Sequence, residues 1–119
     1  MKVLIVDDST YIRNTIKTTL TEHDFEVVGE AANGEEAIDM ALELNPDVIT
    51  LDNILPDMTG IDILRILQKN KHQAMVIMIS AIGLESTQAN ADELGVHHYL
   101  IKPIDHNYLV EILQEADSK

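Results

Sequence analysis

Asp7-Asp8, Asp52, Ser80 and Lys102 each follow a strand-like apolar run, and together they are the residue types that magnesium-assisted phosphoryl chemistry needs. The runs are Val3-Leu4-Ile5-Val6, Val48-Ile49-Thr50-Leu51, Met75-Val76-Ile77-Met78-Ile79 and Tyr99-Leu100-Ile101. In an open parallel sheet the carboxyl ends of the strands face one side, and ligands bind in the crevice there. Three carboxylates, a hydroxyl and an ammonium, far apart in sequence, are therefore expected to converge. Packed acids repel one another unless a cation sits among them, and magnesium takes oxygen ligands of this kind. A lysine and a hydroxyl beside that metal suit a phosphoryl oxygen. The chemistry expected is phosphoryl transfer, with a carboxylate as acceptor.

Strand and helix patterns alternate five times along the chain. Ser9 or Thr10 can cap a first helix, in which Ile12, Ile16 and Leu20 recur every four residues. Glu26 to Ala31 reads as a second strand, and Asn33-Gly34-Glu35-Glu36 as the capped, acid-rich start of a helix carrying Ala37, Ile38, Ala41 and Leu42 on one face. That helix must stop at Asn45-Pro46, because proline cannot continue it. Asp47 to Asp52 is the third strand, Asn53 to Thr59 a loop, and a third helix after Gly60 presents Ile63, Leu64, Ile66 and Leu67. Met75 to Ser80 is the fourth strand, and residues 84–94 form a fourth helix ended by Gly95. His97 to Ile101 is the fifth strand, and Asp105 caps a last helix built on Leu109, Ile112, Leu113 and Ala116.

Such alternation means a doubly wound parallel α/β sheet with helices on both faces. Strands buried on both faces read as continuous apolar runs, and edge strands read as mixed. The second strand carries Glu26, Gly29 and Glu30, and the fifth carries His97 and His98, so these two belong at the edges. The order that follows is 2-1-3-4-5, a flavodoxin-like (βα)5 fold.

Composition narrows the classes. The 119 residues make one domain, 1–119, and 45% apolar content is enough for a real core. No stretch approaches the apolar length that spans a bilayer, and Met1-Lys2 leads straight into a strand, so a cytoplasmic protein is expected. The absence of cysteine removes thiol catalysis and disulfides. A net charge of -13, from 21 acids against 8 bases, disfavours nucleic acid and anionic membrane as direct partners. His23, His72, His97, His98 and His106 lack convincing metal spacing and read as surface or edge-strand residues.

Local context sharpens the site. One Asp before a helix is commonly a cap; two, followed by Ser9-Thr10, exceed what a cap needs. Two carboxylates in that loop would also repel the phosphate of a flavin, which wants backbone N–H groups there. Asp52 leads a particular loop, Leu55-Pro56-x-Met58-x-Gly60, and Pro103 after Lys102 marks an ordered turn that can be cis.

These stretches, with Ser80-Ala81 and Tyr99-x-x-Lys102-Pro103, resemble the receiver domain of two-component response regulators over essentially the whole chain. The resemblance implies that Asp52 takes a phosphoryl group from the phosphohistidine of a sensor histidine kinase. It implies that Asp8 binds magnesium (Mg2+) directly, that Asp7 does so directly or through water, and that the Ile54 carbonyl completes the protein's share. Lys102 and the Ser80 hydroxyl would contact phosphoryl oxygens, and Ala81 would leave the phosphoryl group room. Switching would draw Ser80 inward and admit Tyr99 from an exposed position, with the helix over 84–94 as the moving part. Ile54 and Ile82, two residues beyond Asp52 and Ser80, cannot orient a hydrolytic water, so slow self-dephosphorylation is expected. Asn53 departs from the aliphatic residue many relatives carry, and strand alternation should turn it away from Asp52.

A rival enzyme class, the aspartyl-phosphate phosphatases of the haloacid dehalogenase type, wants Asp-x-Asp after the first strand, which Asp7-Asp8-Ser9 lacks. The protein is therefore expected to act only on its own aspartate. The Ser80-Ala-Ile-Gly83 and Val27-to-Gly34 stretches look like stand-alone chemotaxis regulators of the CheY type. The alternatives are a receiver cut from a DNA-binding transcriptional regulator, or a degenerate, binding-only receiver. The resemblance places the kinase on the first helix near Tyr11. It places a downstream protein, such as a flagellar motor switch protein or an effector domain, on the face of the fourth helix, fifth strand and last helix. Either a monomer or a phosphorylation-dependent dimer fits.

Overall fold

Strand alternation divides the apolar residues of the central strands into two sets, and each set builds one of the two cores. The computed structural model describes residues 1–81 and 93–118. Its strands are β1 (Lys2–Val6), β2 (Glu26–Ala31), β3 (Val48–Asp52), β4 (Met75–Ser80) and β5 (His98–Ile101). Its helices, among the described residues, are α1 (Thr10–Glu22), α2 (Gly34–Leu44), α3 (Gly60–Lys69) and α4 (His106–Asp117). Leu4, Val6, Ile49, Leu51, Val76 and Met78 face α2 and α3, where Ala37, Ala41, Ile63, Leu64 and Leu67 meet them. Val3, Ile5, Val48, Ile77 and Ile79 face the other way, onto Ile16 and Leu20 of α1 and Leu109, Ile112 and Leu113 of α4. Each fully buried leucine or isoleucine here contributes about 1.5–3 kcal/mol of burial free energy.

All strand pairs are parallel, in the order β2-β1-β3-β4-β5. The edges are those the composition of the strands indicated. Every residue of β3 is buried, whereas β2 is exposed at Glu26 and half-buried from there until Ala31, and β5 has no fully buried residue. The helix expected over residues 84–94 falls almost wholly outside the described residues, as does Ile82; Gly95 has the left-handed φ of +85° expected of a terminator.

Capping sets where the helices begin. Ser9 accepts from the Ile12 N–H, Asn33 from Glu36, and Asp105 from Asn107 and Tyr108. Thr59 and Asp62 form a reciprocal capping box. The second helix ends before Pro46, but its last turn is closed by Asn45 itself, which is left-handed at φ 50° and donates its N–H to the Ala41 carbonyl.

Gly60 sits where the chain after β3 folds back against its own backbone. A Cβ there would stand 2.9 Å from the Asp52 carbonyl oxygen and 3.0 Å from the Asn53 Cα, both backbone atoms. Gly60→Ala is therefore expected to destabilise the domain by about 1–3 kcal/mol, as overpacking does. Urea unfolding monitored by far-UV circular dichroism measures this; an unchanged midpoint would show that the loop yields.

Candidate functional site

The register of the sheet puts the site together. Val6 lies opposite Leu51, so Asp7 comes level with Asp52 at the C-terminal edge. Asp52 lies opposite Ile79, and Ser80 opposite Ile101, so Ser80 and Lys102 arrive within one residue of the same level. At roughly 3.3 Å per residue, every strand delivers its terminal polar group to one rim.

At that rim, carboxylate oxygens of Asp7, Asp8 and Asp52 all lie within 4.8 Å of one another. Asp7 and Asp52 are buried, and Asp8 is exposed. The Lys102 ammonium bridges the two buried acids, 2.9 Å from Asp7 Oδ2 and 3.3 Å from Asp52 Oδ2. The Lys102-Pro103 peptide is cis, and the Lys102 N–H donates to the Ser80 carbonyl at 2.8 Å. Asp52 Oδ1 accepts the Ile54 N–H at 3.2 Å, and Asp7 Oδ1 accepts the Ser9 N–H at 2.9 Å. Three hard oxygen donors, one of them open to solvent, fit a magnesium ion in number and chemistry.

Four of the expected residues thus meet directly: Asp7, Asp8, Asp52 and Lys102. Ser80 is buried at the end of its strand, Ala81 is exposed, and the Ile54 residue is 55% exposed beside the acceptor. Tyr99 departs from the expectation of an exposed starting position. It is half-buried and packs against the apolar cluster on the α2–α3 side of the sheet. Tyr99 pairs with Met78, and alternation sets Ser80 on the same face as Met78, so serine and tyrosine share one side of the sheet. Asn53 keeps its backbone carbonyl on the Gly60 N–H at 2.7 Å.

Two supports were not visible in the motifs. The Arg13 guanidinium donates to the Asp7 carbonyl at 2.6 Å and pairs with Glu30 at 3.4 Å, tying the first loop to β2; Lys17 also reaches Glu30, at 3.2 Å. Asp57, in the loop after the acceptor, accepts N–H groups from Gly34 and Glu35 of α2. Arg13 is six residues from Asp7 and could have been flagged by its helical position; Asp57 carries no such local signal.

The electrostatics follow from crowding. Burial pushes the Asp52 carboxyl above its ordinary value of 3.8; the Ile54 N–H pulls it down, the Asp7 charge pushes it up, and Lys102 pulls it down again. Burial also works against the Lys102 ammonium. The hydrogen bond to Asp7 and the charges of Asp52 and Asp7 outweigh it and hold the lysine above its ordinary value, so it stays protonated at neutral pH.

A carboxyl raised in this way is disfavoured in its ionised form by the fold. The penalty is absent where the folded and unfolded groups are both protonated, and it grows as pH rises past 3.8 through the folded value. Without divalent cations, Asp52→Asn is expected to raise the melting temperature by a few degrees at pH 7, and the gain should shrink towards pH 4. Millimolar magnesium should stabilise the wild type and narrow the difference. Calorimetry across pH reads both; a variant less stable than wild type throughout would contradict this account.

Comparison with known proteins agrees with the geometry. Residues 3–114 match the response regulator receiver domain family. The chemotaxis protein CheY of Thermotoga maritima is 37% identical over 115 residues, which cover 97% of this chain and 96% of that protein. A protein-glutamate methylesterase/protein-glutamine glutaminase of Pyrococcus abyssi is 42% identical over 106 residues, 87% of this chain but 28% of that enzyme. The CheX-CheY-BeF3-Mg complex of Borrelia burgdorferi superposes with a TM-score of 0.92 at 32% identity, covering 100% of this chain and 90% of that one. With its strand order, its rim of acids and these relatives, the chain belongs to the response regulator receiver domain family and is CheY-like within it.

Proposed function

We propose that this chain is a phospho-accepting switch in which Asp52 receives a phosphoryl group from a sensor histidine kinase. The observation that carries this reading is the meeting of Asp7, Asp8 and Asp52 around one point, with Lys102 bridging the two buried acids. Asp7, Asp8, Asp52 and the Ile54 carbonyl would hold magnesium, which when bound supplies charge neutralisation for phosphoryl oxygens. In the transfer an Asp52 oxygen forms the new O–P bond as the N–P bond of the phosphohistidine breaks, and the imidazole keeps the electron pair. The chain's own work is positioning and neutralisation, which is most of what phosphoryl transfer requires. The Ile54 N–H orients the acceptor carboxylate, and Lys102 already stands where it can follow the new charge on a phosphoryl oxygen. The Ser80 hydroxyl takes another phosphoryl oxygen, and the small Ala81 leaves the group room.

The output is a change on the side of β5. Phosphorylation draws Ser80 towards the acceptor, and Tyr99, on the same face of the sheet, moves further inward. Next to it, Ile101 (55% exposed) and Tyr108 (47% exposed) offer apolar contact on β5 and α4 to a downstream protein. The kinase would contact the first helix at Tyr11, which is 76% exposed. The Borrelia CheY, captured with BeF3, magnesium and CheX, supports both the metal and a protein partner. The CheY relatives support a role in chemotaxis signalling in the cytoplasm, and no helix among the described residues is long and apolar enough to cross a membrane. The match to part of a larger Pyrococcus enzyme supports a second reading, in which the receiver serves an effector domain. In either case the domain catalyses changes only at its own aspartate.

Intact mass after incubation with acetyl phosphate tests the proposal. Wild type should gain one phosphoryl group only with magnesium, and Asp52→Asn should gain none; a folded wild type that stays unmodified even with a phosphorylated kinase would sink it. Decay of the phosphorylated form should be slow. Ile54→Asn and Ile82→Glu are each expected to speed it about 10-fold, the equivalent of ~1.4 kcal/mol of barrier, by orienting water. Equal lifetimes in all three proteins would remove the role assigned to the two isoleucines.

A further inference from the structure

The carboxylate of Asp57 closes the start of a helix to which it does not belong. The first N–H groups of a helix have no partner within it. Of the first three N–H groups of α2, Gly34 to Glu36, the Glu36 N–H donates to Asn33 Oδ1 at 2.9 Å, while the Ala37 N–H already makes the first bond of the helical ladder, to the Asn33 carbonyl at 3.1 Å. The remaining two cross to the loop after the acceptor: Gly34 N–H to Asp57 Oδ1 at 2.7 Å, and Glu35 N–H to Asp57 Oδ2 at 3.0 Å. Both oxygens of one carboxylate are thus engaged at the positive end of the helix dipole. The Gly34 N–H, chief among these contacts, holds the Asp57 carboxyl below its ordinary range. Met58 lies so close to Gly34 that a Cβ there would collide with its side chain.

The other side of the same loop reaches the acceptor. The Leu55 N–H donates to the Met58 carbonyl at 3.2 Å, Ile54 pairs with Thr59 across an antiparallel bridge, and the Ile54 N–H donates to Asp52 Oδ1. A displacement at Asp57 therefore passes through Met58 and Leu55 to the Ile54 peptide. We infer that Asp57 is a positioning residue, clamping the 53–59 loop onto the first turn of α2 so that the Ile54 peptide is held against the Asp52 carboxylate. Its consequence for metal binding rests on the function proposed above. The asparagine cap is a natural control, since the hydrogen bonds of Asn33 go to Glu36 and Ala37 of the same helix.

The test compares Asp57→Ala, Asp57→Asn and Asn33→Ala with wild type. Magnesium affinity is read by titration calorimetry, the acetyl phosphate rate at saturating magnesium, the melting temperature, and amide exchange at Ile54 by NMR. Asp57→Ala is expected to weaken magnesium binding about 10-fold, the low end of what removing an orienting partner costs a metal site. It should also speed Ile54 exchange. Asp57→Asn retains one acceptor oxygen and should fall between. Asn33→Ala should lower the melting temperature yet leave magnesium affinity and Ile54 exchange near wild type. Unchanged affinity and exchange in Asp57→Ala, or an equal loss in Asn33→Ala, would overturn the clamp. If wild type accepts no phosphoryl group, the function proposed above fails instead, and Ile54 exchange still decides whether the clamp exists.

Discussion

Like-charge crowding at one rim of an apolar sheet is the constraint around which this domain is organised. Asp7 and Asp52 are buried at the ends of strands that otherwise carry hydrocarbon, with Asp8 beside them. Carboxylates this close repel by a few kcal/mol even under generous screening, and burial adds to the cost. Among the described residues, the Lys102 ammonium stands against the two buried acids. Burial disfavours the ionised form of Asp52, so a neutral residue at that position would make the fold more stable at neutral pH. The destabilisation makes sense as a site that could hold a cation and, in the function proposed above, take an incoming group with negatively charged oxygens.

The surroundings of the rim are correspondingly well tied down. Each of the two loops that carry the acids is held from outside by a side chain on another element or bonded to one. Arg13, steadied by Glu30 of β2, holds the Asp7 carbonyl; Asp57 ties the loop after Asp52 to α2. Below them, two apolar layers of alternating strand residues give the rim a stiff base. Stiffness is useful here because a site that works by placing charges loses efficiency with small displacements. Strand β5 is different, half-buried from His98 to Leu100 and exposed at Ile101. A well-tied acid rim beside a less buried edge strand suits the switch proposed above.

The relatives place the same domain in proteins of very different length. A short chemotaxis protein and part of a much longer methylesterase/glutaminase share this domain at similar identity. The domain is common to both, whereas the proteins that carry it differ in length and in name, as is general when function is added to a shared fold.

Much of this could be read from the chain alone. The mixed polarity of Glu26–Ala31 and of the segment at His97-His98 marked the edge strands, because only a strand open on one side tolerates such residues. Asp7, Asp8, Asp52, Ser80 and Lys102 were legible as a set because each follows an apolar run, and parallel strands bring such ends together. The tertiary structure alone decided which charges pair. Lys102 joins acids 95 and 50 residues away, Asp57 closes a helix 23 residues before it, and Tyr99 lies on the α2–α3 side of the sheet. Local periodicity records which face a residue turns to and where an element stops. The reach of a side chain across to another element depends on register and loop path, which are set only when the sheet has assembled.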